Sequence, residues 1–183
     1  MYEGAWLIGF LVVQRLAELG LAQWNAVRLR GRGGVEFGAM HYPLMVALHA
    51  FWLLGLWALG HERSVNPFWF AVFILLQGAR IWVIASLGWR WTTRVIVLPG
   101  AAPFVGGPYR WLRHPNYLVV ILEIAVVPLA LGMPFFALVF SLANAALLTL
   151  RIRVENEAQG WAQTGQGLSA LTPLTLANGG RKR

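Results

Sequence analysis

Apolar residues run through this chain in long blocks separated by short polar interruptions, and the lengths of those blocks set the expected architecture. Five of them, Gly4 to Trp24, Pro43 to Gly60, Pro67 to Leu87, Tyr117 to Gly132 and Pro134 to Leu150, approach the roughly 20 residues that a helix needs to cross the bilayer core. The pattern predicts an all-α, polytopic integral membrane bundle of about five transmembrane helices. Only Gly132, Met133 and Pro134 separate the last two blocks, which therefore read as a tight C-terminal helical hairpin with Pro128 as a candidate kink. Both arms are short, so the hairpin is expected either to thin the bilayer or to sit between the other helices. The first block lacks a basic leader and is interrupted by Gln14, Arg15 and Glu18. It reads as a retained span, not a cleaved signal peptide.

Composition agrees with the blocks. Apolar residues make up 58% of the 183 and charged residues only 12%, about half the roughly 25% usual in soluble domains; mean hydropathy is +0.59. The net charge of +8 and pI near 11.3 raise the question of nucleic acid, but the basic residues follow topology. Arg28, Arg30 and Arg32 fall in the first loop, Arg90, Arg94, Arg110 and Arg113 between spans three and four, and Arg151, Arg153, Arg181, Lys182 and Arg183 after span five. Five crossings put these regions on one side, with Arg63 alone in the opposite loop. The positive-inside rule then places the N-terminus outside and the basic regions and C-terminus in the cytoplasm. No basic stripe separable from this signal is left for nucleic acid.

Several chemistries lack their residues. Cysteine and aspartate are absent, which removes thiolate nucleophiles and thiolate metal sites. His41, His49, His61 and His114 form no metal-binding pattern, and no metal is expected. Ser64, Ser86, Ser141 and Ser169 lack a nucleophile-elbow context, and no glycine-rich phosphate loop is present. Trp24, Trp69, Trp89, Trp91 and Trp111 suit an interfacial belt.

What remains is concentrated at two places on the basic side. Gly107 to Tyr117 reads GPYRWLRHPNY, with two arginines, a histidine and two tyrosines just before the fourth block; polar groups at a membrane entry tend to pair, line a wet cavity or bind something. After the fifth block comes RIRVENE, in which Arg151 and Glu155 share a face if the helix continues. Glu157 does not share it.

GPYRWLRHPNY, followed one hairpin later by R-x-x-x-E, resembles the isoprenylcysteine carboxyl methyltransferase family and related membrane phospholipid methyltransferases, over residues 94 to 157. The EFGAMHYP run from Glu36 to Pro43 is further similar to a bacterial subgroup associated with O-methylation of long-chain alkylpyrones and alkylresorcinols. The resemblance implies a single methyltransferase domain over 1–183, with three N-terminal spans in 1–87, a cofactor-binding half with the hairpin in 88–157, and a cytoplasmic tail in 158–183. It implies transfer of a methyl group from S-adenosyl-L-methionine to an oxygen, carboxylate or phenol/enol, of a lipophilic acceptor among the membrane lipids.

Carried over residue by residue, it places the cofactor against Ala101, Ala102, Pro103 and Phe104, then Tyr109, His114, Pro115, Asn116, Tyr117 and Glu155. Arg151 faces the acceptor and, with His114, is the implied catalytic group. These assignments are chemically reasonable. Pro115 suits the first position of a helix whose free N–H groups favour an anion. Glu155 suits an ammonium or ribose hydroxyls, and Arg151 an acceptor oxyanion.

Two readings stay open for Arg15, Glu18, Gln77, Arg80 and Glu123 inside the spans: pairing within the bundle, or lining a lipid-accessible acceptor tunnel to which Glu123 would contribute. The sequence also departs from the family pattern. Asn156 replaces a second glutamate, Val119 stands where glycine is common, and the polar, glycine-containing stretch 158–183, expected to be loosely ordered, lacks the usual tyrosines. Phospholipid N-methylation, or a non-enzymatic membrane role, are the alternatives.

Overall fold

A computed structural model describes residues 2–164. Five α-helices among them account for the five apolar blocks: α1 (Glu3–Gly31), α2 (Tyr42–Gly60), α3 (Pro67–Leu87), α4 (Pro115–Ala130) and α5 (Pro134–Thr164). Four of these, α1, α2, α3 and α5, are long and apolar enough to cross a membrane. The chain is a polytopic helical membrane protein.

The helices alternate between two ends. The start of α1, the α2–α3 connection and the α4–α5 turn meet at one of them: the Gly4 N–H donates to the Arg63 carbonyl (3.0 Å) and the Asn66 N–H to that of Ala130 (2.8 Å). Arg63 closes this end by donating from Nη1 to the carbonyls of Leu131 and Gly132 at 3.4 and 3.1 Å. Local sequence explains both turns. Asn66 caps α3, its Oδ1 accepting from the N–H groups of Phe68 and Trp69 (3.0 and 3.3 Å) ahead of Pro67 in the first turn. Gly132, at φ +65°, ends α4: its N–H donates to Leu129 and that of Met133 to Pro128, at 3.0 and 2.8 Å. This is the left-handed closure for which glycine is favoured.

Helix lengths differ in a way that matters at the other end. At 1.5 Å per residue, α1 and α5 are each more than about 40 Å long, whereas the 16 residues of α4 span only about 24 Å. Because α4 starts its count from the shared Asn66–Ala130 end, its N-terminus stops short of the roughly 30 Å core thickness. Pro115 to Tyr117 are thus recessed below the level at which α1 and α5 leave the bundle. The far turns of α1 and α5 project beyond, carrying Arg28, Arg30 and Arg153.

A two-stranded antiparallel ribbon, which the all-helical expectation did not include, joins the projecting end. β1 (Val35–Phe37) pairs with β2 (Val95–Val97), Glu36 opposite Ile96. Three-residue strands carry no periodicity to read; this pair is held by distant partners. Glu36 accepts from Arg30 of α1 and from Arg94 beside β2, the latter at 2.7 Å. A further difference concerns the C-terminal stretch from 158. Helix α5 continues without a break to Thr164, and residues 165–183 of the expected tail lie outside the described residues.

The apolar core joins all five helices through Ile8, Leu11, Trp52, Phe73 and Ile124, with Phe136 and Phe140 of α5 packed against them. Beside it lies a cluster of buried charge. Glu123 of α4 is fully buried: its Oε1 accepts from Gln77 Nε2 (2.7 Å) and Arg80 Nε (3.0 Å), and its Oε2 from Arg15 and Arg80. Glu18 accepts from Arg15 Nη1 (2.6 Å) and Arg80 Nη1 (3.0 Å), and Gln14 bridges Glu18 to Gln77. Two arginines and two glutamates cancel in charge and tie α1, α3 and α4 together. Removing one partner leaves an uncompensated buried charge, which costs about 3–5 kcal/mol. Glu123→Ala should therefore lower the thermal unfolding midpoint in detergent sharply. The Arg80→Met, Glu123→Met double variant, which leaves Arg15 and Glu18 as a neutral pair, should be less destabilised than either single change.

Candidate functional site

The GPYR segment forms a short 3-10 turn, Gly107–Arg110, laid against the end of α3. Gly107 has φ +53°, and a Cβ there would meet Ser86 Cβ at 2.9 Å, so the turn accepts only glycine without a shift. Pro115 then occupies the first turn of α4, with His114 as the residue before the helix. A cavity of about 770 Å³ opens between this recessed start, β2 and the projecting turns of α5.

Ala101, Ala102, Pro103, Phe104, Tyr109, His114, Asn116, Tyr117, Arg151 and Glu155 all line that cavity. Pro115 does not; it contributes the bend that places its neighbours. The 101–104 segment is tied to α5 by the Gly100 N–H, which donates to the Ala162 carbonyl at 2.9 Å, and Phe104 packs edge-on to Tyr109 with centroids 5.7 Å apart.

Tyr117 is the hub of the polar groups. Its hydroxyl donates to Glu155 Oε2 and accepts from Arg151 Nε at 2.9 Å, so α4 and α5 share one chain of hydrogen bonds. His114 stacks on the Tyr117 ring (5.1 Å, 10°) and brings Nδ1 to 3.7 Å from Glu155 Oε2. Gln159 donates to Glu155 Oε1 at 3.4 Å. Burial first, and the charge of Glu155 second, push the Tyr109 hydroxyl above the ordinary phenol range. It stays a hydrogen-bond donor at any working pH.

A second space, a groove of about 270 Å³, lies between α1 and α2. Val12, Leu16 and Leu19 face Met45, Val46, Ala50 and Leu53 across it, and Arg15, Glu18 and Arg80 expose part of the charged cluster to it. Leu16 is 64% exposed, so the groove opens toward lipid. Four residues, Trp91, Asn116, Tyr117 and Arg151, line both spaces. Arg151 is buried there, 8% exposed. His114 lines only the cavity. Glu123 lines neither space; it stands behind Arg15 and Arg80, holding them.

Sequence reasoning passed over part of this lining. Trp91 fitted an interfacial belt, yet it is 3% exposed, with Nε1 3.5 Å from Asn116 Oδ1. Buried Asn25 of α1 fixes it by donating to its carbonyl at 2.8 Å. An asparagine among apolar residues on α1 was the available signal. Arg113, Asn156 and Gln159 also line the cavity; the last two follow Glu155 by one and four residues on a helix whose continuation was open.

A family model of the isoprenylcysteine carboxyl methyltransferase family matches residues 69–159. The chain belongs to that family. Over 157 residues it is 40% identical to the uncharacterized protein YpbQ of Bacillus subtilis (strain 168), a match covering 83% of this chain and 94% of that one. No solved structure matches. The family match starts within α3, earlier than residue 94, and so takes in Gln77 and Arg80 as well as Glu123 and the cavity lining apart from Leu29, Gly160 and Ala162. Arg15 and Glu18, their partners on α1, lie outside it.

Because β2 lines the cavity, its anchor bears on the site. Partial burial opposes ionisation of Glu36, but the hydrogen bonds and charges of Arg30 and Arg94 outweigh it and hold the carboxyl below its usual range. A carboxylate with a depressed folded-state pKa stabilises the fold above its unfolded value and loses that contribution as pH falls through the folded one. Hydrogen exchange at the Phe37 and Val95 amides, corrected for intrinsic rate, should therefore accelerate on acidification below the ordinary carboxylate range. Glu36→Gln should remove that dependence.

Proposed function

We propose that this chain is an S-adenosyl-L-methionine-dependent O-methyltransferase whose acceptor is a lipophilic carboxylate, phenol or enol. The observation that carries the reading is the sharing of Trp91, Asn116, Tyr117 and Arg151 by a polar cavity at the projecting end and an apolar groove open to lipid. A water-soluble donor and a membrane-dissolved acceptor need two such approaches to one point.

The residues present fit the cofactor. The cavity volume falls within the roughly 300–1,000 Å³ of small-molecule sites. Val97, Leu98 and the 101–104 segment offer an apolar wall for a base, Glu155 and Asn156 offer acceptors for an ammonium and hydroxyls, and Arg113 and the start of α4 suit a carboxylate. When bound, the cofactor supplies an electrophilic methyl group on a sulfonium. The protein's own part is positioning. Tyr117 holds Arg151 and Glu155 in fixed relation, so that a group on the cavity side and one on the groove side share a frame. Arg151 orients an acceptor oxygen by a charge-assisted hydrogen bond. The apolar groove walls exclude water, which would otherwise compete as an acceptor.

Arg151 also favours oxygen over nitrogen. A cation at the meeting point attracts an oxyanion and repels the protonated amine of a phospholipid headgroup. The clustering of basic residues at the cavity end further supports a cytoplasmic orientation of that end, with the N-terminus outside.

Titration of the purified protein in detergent with S-adenosylhomocysteine should show binding. Glu155→Ala should weaken it about tenfold to a hundredfold, the range for a hydrogen bond to a charged group. Arg151→Lys should keep that binding and lose methyl transfer. Absence of binding at any attainable concentration would sink the reading. Incubation of methyl-labelled cofactor with host membrane extract should put label into an acidic, phenolic or enolic lipid; label in phosphatidylethanolamine would overturn the choice of oxygen.

A further inference from the structure

The groove between α1 and α2 holds a titratable side chain that neither the charged cluster nor the cavity uses. His49 lines it together with Asn116, Tyr117 and Arg151. It lies one turn beyond Met45, which packs against Tyr117 and Leu148. Side chains on a helix lean toward its N-terminus, so the imidazole covers the Met45 turn and faces the groove, with Arg15 and Arg80 of the charged cluster among its neighbours.

The hydrogen bond it makes defines its chemistry. Nδ1 lies 2.8 Å from the Met45 carbonyl oxygen. A carbonyl only accepts, so in the neutral ring Nδ1 carries the proton and Nε2 the lone pair. Nε2 has no hydrogen-bond partner among the described residues, and it is not sealed in the interior as the Asn144 amide is.

The other charged and titratable groups facing the groove are committed. Glu18 of α1 accepts from Arg15, Arg80 and Gln14, and Glu123 of α4, behind them, from Arg15, Arg80 and Gln77. Arg151 of α5 donates to Tyr117 of α4. Tyr42, at the start of α2, pairs with Thr93 at 3.3 Å. Among the described groove residues, His49 is the one uncommitted side-chain base.

We propose that His49 is the general base for a phenolic or enolic acceptor, and that it is what lets this site use hydroxyl acceptors that do not ionise unaided. The proposal rests on the methyltransferase reading above. In the step, the acceptor O–H bond breaks and its proton passes to Nε2 of His49. The freed oxygen pair forms the bond to the methyl carbon, and the carbon–sulfur bond breaks with its electrons left on sulfur. The imidazolium returns its proton to water once product leaves.

The test uses the full chain in detergent, wild type against His49→Gln and His49→Asn. Both substitutions remove the base, and both offer an amide donor to the Met45 carbonyl. Acceptors are an alkyl phenol, an alkyl resorcinol and an alkyl nitrophenol already ionised at assay pH. General-base catalysis contributes about a hundredfold or more, so each variant should lose at least that on the alkyl phenol and little on the nitrophenol, with unchanged affinity for S-adenosylhomocysteine. In wild type alone, the rate on the alkyl phenol should show a base inflection with pH that is absent for the nitrophenol. Below its own ionisation, the nitrophenol bound to wild type should show more phenolate absorbance than when bound to either variant.

Equal losses on all acceptors, or no loss on the alkyl phenol, would overturn the role of His49, as would a wild-type pH profile without the inflection. Wild-type protein that binds S-adenosylhomocysteine but methylates no hydroxyl acceptor would also overturn it. Failure of wild type to bind S-adenosylhomocysteine would instead remove the underlying methyltransferase reading.

Discussion

Four charged side chains inside a membrane bundle must neutralise one another, and that requirement fixes α1, α3 and α4 relative to each other. Glu123 has no exposure to share its charge with water, so two arginines from different helices must reach it, and the second of these must also be balanced by Glu18. Each ion taken out of water carries a desolvation cost of several kcal/mol, which makes any arrangement that leaves one unpaired strongly unfavourable. Helix rotation and register are thereby restricted at the middle of the bundle, where apolar packing alone is permissive. Everything nearer the basic end hangs from that frame: α4 can be short because its midpoint is already held.

The shortness of α4 has a direct functional consequence. A helix of about 24 Å, anchored at the Asn66–Ala130 end, leaves His114 and Pro115 well short of the far turns of α1 and α5. The polar turn before it must descend to meet it, and the cavity descends with it. Arg151 and Glu155 reach the same depth from the other side because α5 passes through the core and projects beyond it. A polar cavity and a lipid-facing groove thus share a wall at one level, with the Tyr117 hydroxyl as the junction between the two helices.

Legibility in the sequence followed the range of the interactions. Block length gave the five helices and the hairpin, since transmembrane helices satisfy their backbone within themselves, and Gly132 marked the turn between its arms. The motif residues could be tied to one pocket only through the family resemblance, which is carried by Tyr109 to Tyr117, close in the chain, and by Arg151 and Glu155, one hairpin away. What stayed hidden depended on pairings over long separations. The β1–β2 ribbon joins residues some sixty positions apart, and the Trp91 carbonyl is held by an asparagine sixty-six positions earlier. Neither leaves a periodic trace.

The intramembrane charges show why two readings of such residues need not exclude each other. Pairing and lining are alternatives for Arg15, Arg80 and Glu123 only if a residue faces either a partner or a ligand. An arginine, however, has five donors in a planar fork. Arg80 spends Nε and both terminal nitrogens on two carboxylates and still presents part of its surface to the groove. A carboxylate has no such excess here: Glu123 uses both oxygens on three donor groups and is enclosed. Buried position therefore sorts the cluster into a holder, Glu123, and the groups it holds at the groove wall. Their charge is compensated, so the wall is polar without being an open charge, and an apolar tail can pass it without stripping water from an unpaired ion.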